Sequence, residues 1–398
     1  MSISLLLMVS LFVPVFLCRR AEAASADEAV ADWIDRNKDA MLKEWLEVMA
    51  IPGKSRQEQK RTAWFEAKFR KIGLEDVTRD EIGNVWGTMK GKPGARTLLI
   101  TGHMDSVFAN DVPLNPEIRD GWIYCPGAGD DIPAPLALTW IKRALDELSI
   151  TPACNLLFLA TVQEEVGLQG MKYYLAHAAK KPDQVIAVDG QLGKIFVGGL
   201  GVNWYKVYAV TPAGHTMKSL GQPSAVKSLA LAITEAYKYQ TEEDPPIYLN
   251  LGVIGGGTTE NAICEEAWVT LDMRCPDPAG LKKLEDSVLS AMEKAITDSG
   301  AVFRKELLMD ITAGQQPNPA GLDVVQAAVV ALKDLGYDDV PLSGEGATDG
   351  NVSVSLGIPT VSVGVISSEN AHSLQERARV DSFATGMKQL MMMVTRLK

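Results

Sequence analysis

Apolar positions along the chain follow two rhythms. Between residues 27 and 51, Val30, Trp33, Ile34, Met41, Trp45, Leu46 and Met49 recur at helical spacing, and Pro52-Gly53 ends the run. Residues 57–71 read as a second helix. Beyond them, short and wholly apolar runs alternate with helical stretches. Strands are expected at 84–89, 97–101, 155–162 and 184–188, and helices at 135–148 and 170–180. Short strands without a polar face, separated by helices, predict an α/β domain with a mainly parallel sheet flanked by helices.

The pattern changes at Gly199-Leu200-Gly201. Residues 202–210 alternate as a strand, and 224–240 form a helix with Val226, Leu229, Ile233 and Tyr237 along one face. Strands at 247–254 and 267–274 flank the turn region Gly255-Gly256-Gly257. A helix at 278–299 and a strand at 301–309 follow. The order β-α-β-β-α-β is that of a ferredoxin-like unit. The α/β rhythm then resumes with a helix at 322–335, a strand at 358–365 and a last helix at 380–397. The expectation is one α/β domain in two parts, 25–198 and 310–398, interrupted by a compact insert at 199–309.

The chain has 398 residues, with 39 Lys and Arg against 50 Asp and Glu, a net charge of −11. No basic stripe or cluster interrupts this acidic balance, which excludes nucleic acid as a partner. The long apolar run is at the start, from Ile3 to Cys18, before Arg19-Arg20-Ala21-Glu22-Ala23. It reads as a signal peptide over residues 1–24, despite lacking a basic residue ahead of the run. The protein is therefore expected to be exported, to the periplasm or beyond, with no stable membrane span after processing. An internal start would instead leave it cytoplasmic. The five cysteines form no CxxC pair, and their spacing gives no thiolate metal site.

Candidate chemistry collects where strands end, the usual place for ligands in an open α/β sheet. Strand 97–101 runs into Gly102-His103-Met104-Asp105, and strand 155–162 into Gln163-Glu164-Glu165. Strand 184–188 ends at Asp189-Gly190, and His372 follows strand 358–365. Asp130-Asp131 lies in a turn between the first two. Imidazoles and carboxylates on one rim suit zinc, with cobalt or manganese as alternatives. Two such ions, sharing a carboxylate, form a hydrolytic arrangement. Two adjacent glutamates can then divide the tasks of ligand and general base.

The set Gly102-His103-Met104-Asp105, Asp130, Glu164-Glu165, Asp189 and Ala371-His372-Ser373 resembles the co-catalytic di-zinc exopeptidase family. That family includes peptidase T, glutamate carboxypeptidase, carnosinase, aminoacylase, acetylornithine deacetylase and succinyl-diaminopimelate desuccinylase. The resemblance covers nearly the whole chain after the leader, and Glu164-Glu165-Val166-Gly167-Leu168-Gln169-Gly170 is most similar to the peptidase T-like branch. It implies that His103, Asp130 and Asp189 hold one metal ion, and Asp130, Glu165 and His372 the other. Glu164 is the implied general base, and Asp105 the implied partner of the second ring nitrogen of His103. The insert becomes a lid and dimerisation domain. Its His215, in Pro212-Ala213-Gly214-His215-Thr216, would stabilise the oxyanion, and Asn261 and Arg274 would bind substrate. After its paired aspartates the family has a basic residue and glycine, whereas this chain has Ile132-Pro133-Ala134-Pro135. That departure bears on substrate preference.

These features imply a metal-dependent exopeptidase acting on small peptides, with homodimerisation through the lid. An N-acyl amino acid deacylase would use the same site. A non-catalytic, metal-binding peptide receptor is the third reading, and Glu164 argues against it because a receptor needs no base.

Overall fold

The computed structural model describes residues 9–240 and 247–397. In chain order, the first part of the main domain contains α1 (Val9–Met49), α2 (Gln59–Lys71), β1 (Glu75–Arg79), β2 (Val85–Met89), β3 (Thr97–His103), α3 (Pro133–Glu147), β4 (Asn155–Thr161), α4 (Gln169–His177) and β5 (Gln184–Val188). The insert contains β6 (Gly201–Val210), α5 (Ala225–Ala236), β7 (Tyr248–Gly256), β8 (Glu266–Cys275), α6 (Pro278–Asp298) and β9 (Val302–Ile311). The main domain is completed by α7 (Asp323–Asp334), α8 (Gly350–Ser355), β10 (Thr360–Val363) and α9 (Ser382–Arg396). Of the expected leader, residues 1–8 lie outside the described residues. No helix among the described residues is long and apolar enough to cross a membrane.

The main sheet has eight strands, in the order β1, β2, β4, β3, β5, β10, then the short strands Ile195–Phe196 and Leu342–Ser343. Its centre is parallel: β3 pairs with β4 and β5, and β10 with β5. Antiparallel pairs flank it, β1 on β2, β2 on β4 and Ile195–Phe196 on β10. This is the α/β sheet expected from the apolar strands. Period-two alternation sends neighbouring residues to opposite faces. Leu98 and Ile100 thus join the large core that includes Trp45 and Phe69, together with Trp140 and Leu390. Leu99 and Leu159 pack on the other face with Met171 of α4 and Val352 of α8.

The insert forms a separate antiparallel sheet, ordered β7-β8-β6-β9, with a core of its own. Helices α5 and α6 contact each other and β6 and β8. In α5 the buried face differs from the expected one. Ala225, Leu229, Ala232 and Ala236 face the core, whereas Val226 and Tyr237 are exposed. Alanines at this face let the helix lie close to α6, and this outweighs the pull of the larger side chains. Helix α6 starts cleanly, because Asp277 accepts the Gly280 N–H at 2.6 Å and Pro278 takes the first turn. Both chain crossings into the insert lie side by side. Gly198–Gly199 pairs with Gly314–Gln315, and the Asn351 amide donates to the carbonyls of Leu200 (3.2 Å) and Thr312 (3.1 Å).

Candidate metal centre and active site

Each main-domain candidate lies at or near the carboxyl end of a central strand. β3 runs two residues beyond its expected end and so includes His103, which is buried. Its neighbour Gly102 has to be small: a Cβ there would be 2.7 Å from Ala134 Cβ and 2.8 Å from Pro135 N. The start of α3 therefore presses directly on the strand. Pro133 and Pro135 lie in the first turn of that helix, where backbone N–H groups have no intrahelical acceptor, so two prolines leave the helix intact.

The ring of His103 brings Nε2 to 3.1 Å from Asp130 Oδ1. On the other side of Asp130, His372 Nε2 lies 3.0 Å from Oδ2 and 3.2 Å from Glu165 Oε2. Asp130 thus stands between two imidazoles, each near one of its oxygens. His103, Asp130 and Glu165 offer donor atoms within 4.8 Å of one another, and so do His103, Asp131 and Asp189. The second group places Asp131 beside His103 and Asp189, where the resemblance implied Asp130. Asp131 is buried, and it was not among the expected ligands.

So many carboxylates in one buried place perturb one another. Burial, with Asp189 and other acids nearby, pushes Asp131 and Glu164 well above the carboxylate range, His103 pulling only partly the other way. Burial likewise lifts Asp189 to about 8 and Asp349 to about 6. Asp130 goes down instead, because its bonds to His103 and His372 outweigh burial. His372 rises to about 10 on its bonds to Asp130 and Glu165. For His103 burial opposes the charged ring, but Glu164, Asp105 and Asp130 together hold it well above 6.5.

A ring of buried groups holds this cluster. Asp105 accepts the Ser55 hydroxyl at 2.7 Å and the N–H groups of Glu164 (2.9 Å) and Glu165 (3.2 Å). Its Oδ1 is 3.4 Å from His103 Nδ1, at ion-pair distance but outside hydrogen-bond geometry. Glu58 accepts the Gln163 N–H at 3.2 Å and that of Arg56 at 2.7 Å. Asp349 accepts the Thr161 hydroxyl at 2.5 Å. Glu376 accepts three N–H groups from the loop that carries Asp130. Sequence reading singled out neither Glu58 nor Glu376, since a lone glutamate gives no signal until folding buries it.

The three lid candidates are placed apart from this cluster. Gly214–His215 pairs with Ala262–Ile263, and the Thr216 N–H bonds the Asn261 carbonyl at 3.0 Å, so His215 and Asn261 share one small ribbon. His215 is exposed, and its Nδ1 accepts the Met217 N–H at 3.2 Å. Arg274 lies on β8 in a forked ion pair with Asp272, at 2.9 and 3.1 Å from Nε. Among the described residues, no hydrogen bond or ion pair joins these three to the metal-site residues. His177 stacks on Tyr173 with ring centres 4.1 Å apart, away from the site.

Residues 99–396 match peptidase family M20/M25/M40, which is most of the chain. The chain belongs to this family. Among curated relatives, the M20 chain is 26% identical over 361 residues to the uncharacterized protein YqjE of Bacillus subtilis strain 168, covering 87% of this chain and 95% of that one. Its fold is similar to a tripeptidase from Staphylococcus aureus (TM-score 0.77, 24% identity, 90% of this chain and 98% of that one). It is also similar to aminopeptidase PepT from Bacillus cereus (0.74, 23%, 91% and 99%) and to the Bacillus subtilis YXEP protein, a dinuclear metal-binding M20 peptidase (0.68, 14%, 91% and 98%).

The donor set of this M20 chain fits a pair of divalent cations. It combines imidazoles with carboxylates and contains no thiolate. Glu165 Oε1 and Asp131 Oδ2 are buried and have no hydrogen-bond partner, a costly condition for a carboxylate unless a cation meets it. The crowding that raises the neighbouring acids is the field two cations would offset.

Proposed function

We propose that this M20 chain is a metal-dependent exopeptidase that hydrolyses an amide bond in small peptides. The observation that carries the reading is Asp130 set between His103 and His372, with Glu165 completing the group and Glu164 buried beside it. His103, Asp130, Glu165, Asp189 and His372 would hold two divalent ions, zinc in the first instance and cobalt or manganese as substitutes, with Asp131 near the ion at Asp189. When bound, such ions supply a Lewis acid for the scissile carbonyl and make a water more acidic. Proteins of similar structure include a tripeptidase, an aminopeptidase and a dipeptidase, which supports a short peptide as substrate.

The remaining work falls to the chain. Glu164 projects from the turn after β4 with no hydrogen bond to a described side chain on its carboxylate. It is free to take a proton from water and deliver it to the leaving amine. Asp105 fixes that turn through the Glu164 and Glu165 N–H groups. His215 and Asn261, on one ribbon of the lid, would meet the oxyanion and the substrate backbone, reaching the cluster by lid closure or from a second copy of the chain. Arg274 would receive a substrate carboxylate, exchanging it for Asp272. In this reading the lid also carries the homodimer contact, and residues 1–24 direct export.

The test is Glu164→Gln in the metal-loaded enzyme, assayed against tripeptides, dipeptides and N-acyl amino acids side by side. Metal content near the wild-type level and a fall in kcat of ~10²–10⁴ or more are expected. Undiminished turnover would remove Glu164 as base. Wild-type turnover of N-acyl amino acids alone would make the protein a deacylase, and wild-type turnover of none of the three would leave the receptor reading.

A further inference from the structure

The loop that carries His372 is tied to the Asp130 loop by a buried carboxylate and to the Asp189 loop by half-buried polar side chains. Glu376, four residues beyond His372, is 1% exposed. Its Oε2 accepts the Gly127 N–H at 2.7 Å, and its Oε1 accepts those of Gly129 (2.8 Å) and Asp130 (3.0 Å). Its carbonyl accepts the Cys125 N–H at 3.2 Å. At the other end of the same loop, Ser368 and Gln191 bond each other twice, at 2.7 and 2.9 Å, and Gln191 is two residues from Asp189.

Such a carboxylate is costly to bury and exceeds what loop closure requires. Two further observations show what it is set against. His372 has φ 62° and Asn370 φ 59°, left-handed conformations that cost a non-glycine residue ~1 kcal/mol or more and persist only where surrounding contacts impose them. In addition, Gly129 is seated directly on Ser368: a Cβ there would lie 2.3 Å from Ser368 Cβ. The Asp130 loop and the His372 loop are therefore fitted together closely, and Glu376, on the second loop, is the side chain that bonds the backbone of the first.

We propose that Glu376 is a positioning residue for the metal pair. Its carboxylate fixes the loop backbone through the N–H groups of Gly127, Gly129 and Asp130, and so sets the two Asp130 oxygens, one toward His103 and one toward His372. The inference rests on the reading of Asp130 as the shared ligand. Glu376 touches neither substrate nor metal. It acts through Asp130, and removing it should loosen the bridge between the two ions rather than remove a ligand.

The experiment compares wild type, Glu376→Gln, Glu376→Asp and Asp130→Asn as full-length proteins. It measures zinc stoichiometry and affinity by chelator competition, steady-state kinetics across added zinc, and the Tm of the metal-free forms. A carboxamide has one acceptor oxygen and presents N–H to N–H, so Glu376→Gln leaves at least one of three donors unmet. The expected result is a zinc affinity ~10–100-fold weaker at one of two sites, with kcat reduced, KM nearly unchanged and turnover recovered at high zinc. Glu376→Asp, which keeps the charge but is too short to meet all three donors, should fall between. If either folded variant binds both ions with wild-type affinity, the proposal is overturned. It is equally overturned if activity falls only in step with the metal-free Tm and zinc does not restore it. Should Glu376→Gln fail to fold, Glu376→Asp alone decides by the same criterion. If wild type binds no zinc, or Asp130→Asn binds it as wild type does, the metal-site reading itself has failed, and the two failures are told apart.

Discussion

Residue by residue, the candidate site is a set of buried acids, some bonded by neighbouring groups and some with an oxygen left unpartnered. Glu58 shows this apart from the ligands. Burial, with Asp105 nearby, lifts it from 4.5 to about 7. The folded protein therefore holds a proton on Glu58 between about pH 4.5 and 7 that the unfolded chain has released, so stability falls as pH rises through this window. Glu58→Gln keeps an oxygen for the Arg56 and Gln163 N–H groups and removes the titration. Its Tm relative to wild type, both metal-free, should rise between pH 5 and pH 8, and a constant difference would show that Glu58 is not the group responsible. A second residue-scale expectation concerns Arg274. Arg274→Ala should raise KM for peptides with a free carboxylate and leave amidated ones nearly unaffected, so an equal response of both would refute the carboxylate clamp.

Among elements, the junction of β3 with α3 is a tight one. Gly102→Ala would drive a methyl into Ala134 and Pro135, and overpacking of this kind costs ~1–3 kcal/mol. The expected outcome is a lower Tm together with weaker metal binding, because His103 is the next residue. A thermal scan with and without zinc measures both. This scale also shows what the sequence made legible. Strands buried on both faces, such as β3, β4 and β5, announce themselves as apolar runs, and their ends lead to His103, Glu164-Glu165 and Asp189. β1 and the strand Glu117–Arg119 fall outside the expected elements because their exposed or charged residues carry no apolar rhythm, and Trp122–Tyr124 does because three residues are too few to show one. Glu376 belongs to the same class: its importance comes from a contact to Gly127 across 249 residues of chain, which local pattern does not encode.

For the whole molecule, two nearly separate cores imply two units of stability. The insert encloses its own apolar cluster between one sheet and two helices, and residues 200–312 expressed alone should unfold cooperatively. Calorimetry showing no transition would contradict this. Metal removal should act on the other unit. Stripping bound ions with a chelator is expected to destabilise the main domain by ~2.7 kcal/mol per site where metal stands at 100 times its Kd, lowering its Tm, and to leave the insert's transition in place. A chelator that shifts neither transition would argue against a metal centre in the main domain.

The strand order has a consequence for how the molecule is made. β10 pairs with β5 inside the main sheet, yet it is separated from β5 by the whole insert and precedes the His372 loop and α9. A chain emerging in order therefore builds the insert while the main sheet still lacks an inner strand. His372, and Glu376 after it, emerge only once the insert and β10 have been made. The candidate metal ligands therefore stay incomplete until then, and a chain truncated before residue 360 would lack both the strand that fills the sheet and the candidate histidine His372.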